Sequence, residues 1–255
     1  MRSSPSGRSN ERAVSEILGY ILIFSLIVAT VALVSISGLP ALDSARESEQ
    51  IQNAERAFDV LNSNMAEVYK RGSPSRATEL SAGDARVEIR EPVIFNVSVE
   101  NADGNVTSEE AEIAPIVFSG RGETEFVYEA GAVIREQRDS SIMLRDPPIK
   151  LDDERLFFTI VETFSDSQQS ASGGSVLVRA TSTDRNIVLA EVIDSTSEQV
   201  NITVSNTDRG DAWSQFFETE LGMDCTRRGG LDCGTEIDVD QTYVTVQTMR
   251  VTLET

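Results

Sequence analysis

The sequence predicts an α+β protein, mainly β: a long N-terminal helix, first transmembrane and then amphipathic, precedes an antiparallel β-sandwich-like domain. Three patterns support this prediction. Residues 17–39 form an uncharged apolar run, residues 51–68 repeat apolar side chains every three or four positions, and from about Arg86 apolar and polar residues alternate. Periods near 3.6 and 2 are typical of helices and strands respectively.

The apolar run of residues 17–39 is long enough to cross a membrane. As a helix it spans about 35 Å, against about 30 Å for a bilayer core. The apolar part of a secretory signal is roughly 7–15 residues long, so an ordinary discarded signal does not explain it. Before it stand Arg2, Arg8 and Arg12 against Glu11. By the positive-inside rule we expect a single-pass cell-membrane protein with a cytoplasmic N-terminus and an extracellular bulk.

A second helical segment is predicted over residues 40–72. Its apolar side chains step by three and four positions along one stripe: Ile51, Ala54, Phe58, Leu61, Met65 and Val68. Such a stripe must be covered, and three heptads are short for an independent coiled coil. We therefore expect it to pack on the protein's own sheet.

Short β-type runs follow, separated by glycine and proline turns. They occupy residues 86–89, 92–101, 114–120, 124–136, 140–145, 155–164, 175–182, 186–193 and 199–206. No helical pattern lies between them, which favours an antiparallel sandwich or a rolled sheet. Residues 86–207 are thus assigned to a β-rich ectodomain.

Residues 208–255 complete the chain with a short helix, a cysteine loop and final strands. The helix is predicted over residues 211–223, with Asp211 as its N-cap and with Trp213, Phe216, Phe217 and Leu221 facing inward. Residues 235–240 and 242–255 are predicted to form a last strand pair.

The composition excludes several classes of function. There are 42 acidic and 22 basic residues, for a net charge of −20, and the acids are spread along the whole chain. Nucleic-acid binding is not expected because a phosphate backbone requires a basic surface. The chain has no histidine, which removes the commonest general base and most zinc sites. No cofactor and no catalytic residue are predicted.

The residues before the apolar run, Arg-Ala-Val-Ser-Glu-Ile-Leu-Gly at positions 12–19, carry a family resemblance. They resemble the type III signal of archaeal type IV pilins and archaellins, and the acidic, lysine-poor composition resembles that of haloarchaeal proteins. The resemblance implies cytoplasmic cleavage between Ala13 and Val14, which leaves the apolar helix on the mature subunit. Haloarchaeal pilins often read Ala-Val-Ser-Pro-Val-Ile-Gly here, so Glu16 stands where they have proline.

Glu16 has two interpretations. It is either an acid in the headgroup layer of an ordinary anchor or an assembly contact that pairs with a neighbouring subunit's new amino terminus. On the pilin resemblance the chain divides into a leader (residues 1–13), a transmembrane helix (14–39) and the amphipathic helix and β regions above. The order of a long helix and then a β domain resembles that of pilin-like subunits.

Cys225 and Cys233, the two cysteines of the chain, offer two readings. Without further cysteine or histidine they make a poor metal site, and we expect a disulfide, which requires an oxidising compartment. Three Asn-X-Ser/Thr sequons, at Asn96, Asn105 and Asn201, are candidate glycosylation sites.

Two acidic clusters are interpreted as solvated surface, and no metal site is predicted. They are Glu236, Asp238 and Asp240 in one cluster and Asp152, Asp153 and Glu154 in the other. The function expected from the sequence is a membrane-anchored extracellular structural or adhesive protein, a pilin-like subunit or minor component. The alternatives are an uncut single-span surface protein that binds a partner or a glycan, and an anchored carboxylate enzyme.

Overall fold

The computed structural model describes residues 8–255 except 101–104, 121, 139, 153–154, 193–197, 228–229 and 238–240. The chain forms two units, residues 1–49 and residues 50–255. A long helix, α1 (Arg8–Arg71), begins in the first unit and ends in the second. All of the strands and the second helix belong to the second unit.

The strands and the second helix follow in this order: β1 (Ser75–Ser81), β2 (Arg86–Ile89), β3 (Val93–Glu100), β4 (Val106–Ile113), β5 (Ile116–Ser119), β6 (Thr124–Glu129), β7 (Ala132–Gln137), β8 (Ser140–Arg145), β9 (Ile149–Asp152), β10 (Arg155–Phe164), β11 (Ser170–Ser172), β12 (Ser175–Val192), β13 (Glu198–Ser205), α2 (Gly210–Glu220), β14 (Asp224–Arg227), β15 (Leu231–Ile237) and β16 (Gln241–Glu254). The fold is therefore α+β and mainly β, as the sequence predicts.

The strands form three sheets, which we name by their position or by their strands. The central sheet has the order β11-β2-β5-β6-β7-β8, the outer sheet β14-β15-β13-β3-β4, and the long-strand sheet β1-β12-β16-β10-β9. The described strand pairs are antiparallel except β10 with β16, which is parallel. The predicted pairing of residues 235–240 with 242–255 is wrong for residues 235–237, the part of the first segment that the structure describes, because β15 lies in the outer sheet and β16 in the long-strand sheet.

The central sheet buries both of its faces. Val117, Val127 and Ile134 face a first core, which also contains the inner face of the outer sheet and the aromatic side chains of α2. The neighbouring residues Phe118 and Tyr128 face a second core. This explains the uninterrupted apolar segments 116–118, 126–128 and 132–134 within β5, β6 and β7, since strands covered on both sides lose the alternation of half-exposed strands.

The stripe on α1 packs in the second core, which confirms the prediction that it covers the protein's own sheet. Phe58 is fully buried, and its ring centroid lies 6.5 Å from that of Phe118 and 6.0 Å from that of Phe126. The helix ends before Gly72, which has the left-handed φ of +69° that glycine adopts without steric cost. The carbonyl of Tyr69, in the last turn, accepts a hydrogen bond from the Arg185 guanidinium.

Two long strands, β10 and β16, contribute side chains to both cores. In each strand, one part buries one face and the next part buries the opposite face. In β10, Ile160 belongs to the first core and Val161 to the second; in β16, Val246 belongs to the first and Met249 to the second. The change occurs at one level of the sheet, because Ile160 is paired with Val246. The two cores are thus joined by the same pair of strands.

The β6–β7 hairpin determines where the first core meets α2. Its two turn residues, Ala130 and Gly131, have φ of 53° and 88°, the positive values of a type I′ hairpin turn. A Cβ atom on Gly131 would lie 2.5 Å from Cδ of Pro148, so a glycine is required there by contact as well as by conformation. The tight turn places Glu129 at the end of β6.

The predicted short helix exists as α2, and Trp213, Phe216, Phe217 and Leu221 are buried as expected. Asp211 is not its N-cap. The N-cap position is Arg209, Asp211 lies within the helix and accepts an ion pair from Arg227, and the Ala212 N–H donates to Ser141 Oγ on β8 at 3.1 Å. The Ser141 side chain on β8 therefore satisfies a free N–H group in the first turn of α2, the role expected of a local N-cap residue.

Candidate functional site

Residues 15–36 of α1, the apolar segment, expose nearly every large apolar side chain they carry. The exposed fractions lie between 50% and 76% for Ile17, Leu18, Tyr20, Ile21, Leu22, Ile23, Phe24, Leu26, Ile27, Val28, Val31, Leu33, Val34 and Ile36. A helix that is apolar on all sides is covered by lipid or by other protein. Within the described residues, α1 is the helix whose length and composition suit a membrane crossing. This arrangement is compatible with an anchored surface protein.

Two side chains of the apolar segment make contacts within the helix. The Thr30 hydroxyl donates to the Ile27 carbonyl at 2.9 Å, and the rings of Tyr20 and Phe24 stack one turn apart. A backbone and a hydroxyl that are bonded internally enter hydrocarbon at lower cost.

The predicted processing site lies at the beginning of the same helix. Ala13 and Val14 fall within α1, but their side chains are outside the described part, and Glu16 is exposed. Cleavage between Ala13 and Val14 and a contact made by Glu16 both stay predictions.

Cys225 and Cys233 form the expected disulfide. They are directly paired residues of the antiparallel strands β14 and β15, with their Cα atoms 4.1 Å apart. Cys233 is fully buried in the first core, so the bridge fastens the edge strand β14 to the interior.

The three sequons lie in different surroundings. Asn105 is exposed just before β4, and Asn201 is exposed on β13, whereas Asn96 on β3 is half-buried. Asn96 is paired with Thr203 and Asn201 with Ser98, so two sequons adjoin on the outward face of the outer sheet. Their glycosylation stays a prediction.

A buried ion pair ties the β6–β7 hairpin to α2. Glu129 is completely buried and accepts hydrogen bonds from Arg209 Nε at 2.8 Å and from Trp213 Nε1 at 2.6 Å. Arg209, itself 3% exposed, also reaches Glu136 at 3.4 Å. The sequence prediction did not include this cluster, although an acid within the apolar run of residues 126–134 was a signal for it.

Carboxyl groups around this cluster have shifted pKa values. Burial raises the pKa of Glu136, against the opposing charge of Arg209. Burial also acts to raise the pKa of Glu125, but bonds from Arg90 and Ser119 and the charge of Arg90 outweigh it, and the pKa lies below its usual value. Arg90 holds Glu125 through two bonds of 2.7 Å, which raise the pKa of Arg90 in return.

A polar groove opens beside these ion pairs. Its volume is about 570 Å³, and a smaller cavity of about 210 Å³ shares part of its lining. The lining comes from four separate stretches of the chain: residues 88–91, Pro115, residues 168–170 and residues 206–209. The groove cannot be recognised from any one stretch of sequence, because its lining residues become neighbours only in the folded protein.

The two acidic clusters noted in the sequence form no metal site within the described residues. Asp152 pairs with Lys150 at 2.7 Å. Asp153, Glu154, Asp238 and Asp240 lie outside the described residues, as does the side chain of Glu236.

Comparison with known proteins gives one match. Residues 12–254 match a family described as "Family of unknown function (DUF7289)", which covers nearly the whole chain, including the apolar segment and all three sheets. No curated protein and no solved structure matches the sequence.

The buried pair should show strong coupling. Arg209→Met leaves the Glu129 carboxylate without a cation, and Glu129→Gln leaves Arg209 with only the 3.4 Å contact to Glu136. Each variant should lower the free energy of unfolding by about 3–5 kcal/mol. In the double variant the loss should be at least about 1 kcal/mol smaller than the sum, because the two charges leave together. Urea unfolding followed by emission of Trp213, the sole tryptophan, measures this.

The matched control is the exposed pair Lys150 and Asp152, replaced by Lys150→Met and Asp152→Asn. These variants should each change stability by less than about 1 kcal/mol. Strictly additive losses at Arg209 and Glu129 would contradict the coupling.

Glu125 should make stability sensitive to acid. Its pKa is lowered in the folded protein from the usual 4.5, so its contribution is present above that pH and is lost as the pH falls through the folded value. The stability difference between wild type and Glu125→Gln should therefore be constant well above pH 4.5 and shrink as the pH falls below that value. Glu123→Gln, which breaks an exposed pair with Arg138, is the control. A difference that does not change with pH would show that Glu125 stabilises the fold without titrating.

Proposed function

We propose that this chain, which belongs to the DUF7289 family, is a pilin-like subunit or minor component, held in the cell membrane by its apolar segment with its bulk outside the cell. The observation that carries the proposal is the contrast within α1. Its apolar segment is exposed on every side, whereas its later residues, such as Phe58 and Met65, are built into the second core.

The exposed apolar segment requires a cover. Burial of one large aliphatic side chain is worth about 1.5–3 kcal/mol, and this segment exposes more than a dozen large apolar side chains. Lipid and a bundle of like helices are the two covers that suit a helix apolar on all sides. A pilin-like protein uses the first before assembly and the second after it, which is why the same helix serves anchoring and assembly.

Two further features support an extracellular bulk. The Cys225–Cys233 disulfide suits an oxidising compartment, and the arginines before the apolar segment favour a cytoplasmic N-terminus. We also propose a haloarchaeal source, on the composition and the motif given above, and glycans at the sequons.

The second candidate is a single-span surface protein that is not cleaved. Glu16 favours it, because haloarchaeal pilins often have proline at that position. Both candidates share the membrane anchor and the β domain, and they differ in processing and in assembly.

Processing is decided by the N-terminus of the protein purified from its own host's membranes. We expect the mature chain to begin at Val14, as measured by N-terminal sequencing and intact mass. Ala13→Leu should block cleavage if a small residue is required before the cut, and Ala41→Leu, which makes the same change at an exposed site in α1, should be cleaved normally. A wild-type chain that begins at Met1 or Arg2 would contradict the pilin-like proposal.

Assembly is tested separately through Glu16. We expect wild-type protein in filaments sheared from cells, and Glu16→Gln should be cleaved and reach the membrane but appear at least several-fold less in the sheared fraction. Glu47→Gln, which neutralises another exposed acid of α1, should assemble as wild type. If wild-type protein occurs only as detergent-soluble monomers and never in the sheared fraction, the assembling function is contradicted, whether or not the chain is cleaved.

A further inference from the structure

We infer that the polar groove binds a neutral, polyhydroxylated ligand, the chemistry of a glycan. The groove lies entirely in the second unit of the chain, so the inference does not depend on cleavage of the leader or on assembly. It rests on the size of the groove, on the kinds of side chain that line it and on the way in which their charges are already compensated.

The size suits a sugar. A cavity of about 570 Å³ falls within the roughly 300–1,000 Å³ typical of small-molecule sites. The smaller cavity shares Ile89, Arg90, Glu91 and Gln168 with it. The two cavities therefore adjoin.

The lining is rich in groups that recognise hydroxyls. Gln168, Gln169 and Asn206 supply carboxamides, each with a donor and an acceptor side, and Glu91 and Asp208 supply exposed acceptors. A hydroxyl group both donates and accepts, so neighbouring hydroxyls of a sugar ring match these planar groups.

One of these groups, the Gln169 carboxamide, is held in place before any ligand arrives, and the backbone at Asn206 has a defined conformation. Gln169 Oε1 accepts the Leu253 N–H at 2.5 Å, and the Gln169 carbonyl accepts the Ile89 N–H at 2.9 Å. Asn206 has a left-handed φ of 61°, a conformation that asparagine tolerates better than most residues. Fixed groups lose little conformational entropy on binding, which favours affinity.

The charges disfavour an anion. Arg90 and Arg209 line the groove, but Arg90 already holds Glu88 and Glu125, and Arg209 already holds Glu129. A phosphate or sulfate would compete with these carboxylates and would meet the exposed acids Glu91 and Asp208. A neutral ligand avoids this repulsion.

A peptide is the less suitable occupant. The apolar side chains in the larger cavity are Ile89 and Pro115, and both are buried. Peptide recognition usually depends on pockets that receive large apolar or aromatic anchors. The lining therefore favours hydroxyl recognition over side-chain anchoring.

The test is saturation-transfer NMR with the full chain in lauryldimethylamine oxide micelles, whose head group carries no sugar. The probes are D-glucose, D-galactose, D-mannose and N,N′-diacetylchitobiose, with sulfate and trilysine as competitors. We expect transfer to at least one sugar, with dissociation constants raised at least fivefold by Gln168→Ala and by Asn206→Gly. Glycine keeps the positive φ of residue 206, so this variant removes the side chain without strain.

Gln215→Ala is the matched control, because Gln215 is exposed on α2 outside the groove. It should leave the dissociation constant unchanged, and unaltered Trp213 emission should show that each variant is folded. Absence of transfer to every sugar, equal affinity in wild type and both groove variants, or displacement of the sugar by sulfate or trilysine would overturn the inference.

Discussion

The buried carboxylate of Glu129 is the constraint on which the arrangement of the first core depends. A charge without contact to water costs several kcal/mol unless it is paired and hydrogen-bonded. Arg209 and Trp213 supply that compensation from the start of α2, so the helix has to lie against the β6–β7 hairpin. Trp213 in turn packs edge-on against Phe95 of β3, with ring centroids 4.9 Å apart. The position of the outer sheet therefore depends on the same buried carboxylate.

The same strand also explains how two cores are built in one chain. Glu129 faces the side of the central sheet that holds Val127, and Tyr128 between them faces α1. The ion pairs at the surface cannot fix positions in this way. Arg179 with Glu254 and Lys150 with Asp152 are exposed and screened by salt, whereas the pair of Arg209 and Glu129 is shielded from solvent.

Local patterns were sufficient for much of this fold. The apolar stripe of α1 and the inward face of α2 follow from periodicity, and the disulfide followed from there being two cysteines. Residues 124–136 were predicted as one β-type run, whereas they form two strands, β6 and β7, with a turn at Ala130 and Gly131. Strand β4 was not predicted because its exposed acids hide the alternation, which leaves only Ala111 and Ile113 buried. The change of buried face in β10 and the pairing of Glu129 with Arg209, 80 residues later, depend on distant partners that no local window contains. The polar groove was unpredictable for the same reason.

Glu16 distinguishes the two ways of covering the apolar segment. In a single anchor it lies at the level of the lipid head groups, where water and cations solvate a carboxylate without a protein partner. In a bundle of like helices it is surrounded by apolar side chains, where an unpaired acid costs a few kcal/mol. Cleavage before Val14 would create an ammonium group two residues away, and the same group on each neighbouring subunit. An uncut chain keeps Arg12 one helical turn before Glu16, whereas a cut chain loses Arg12 and supplies the new ammonium group instead. Processing would therefore change which cation is available to an assembled Glu16.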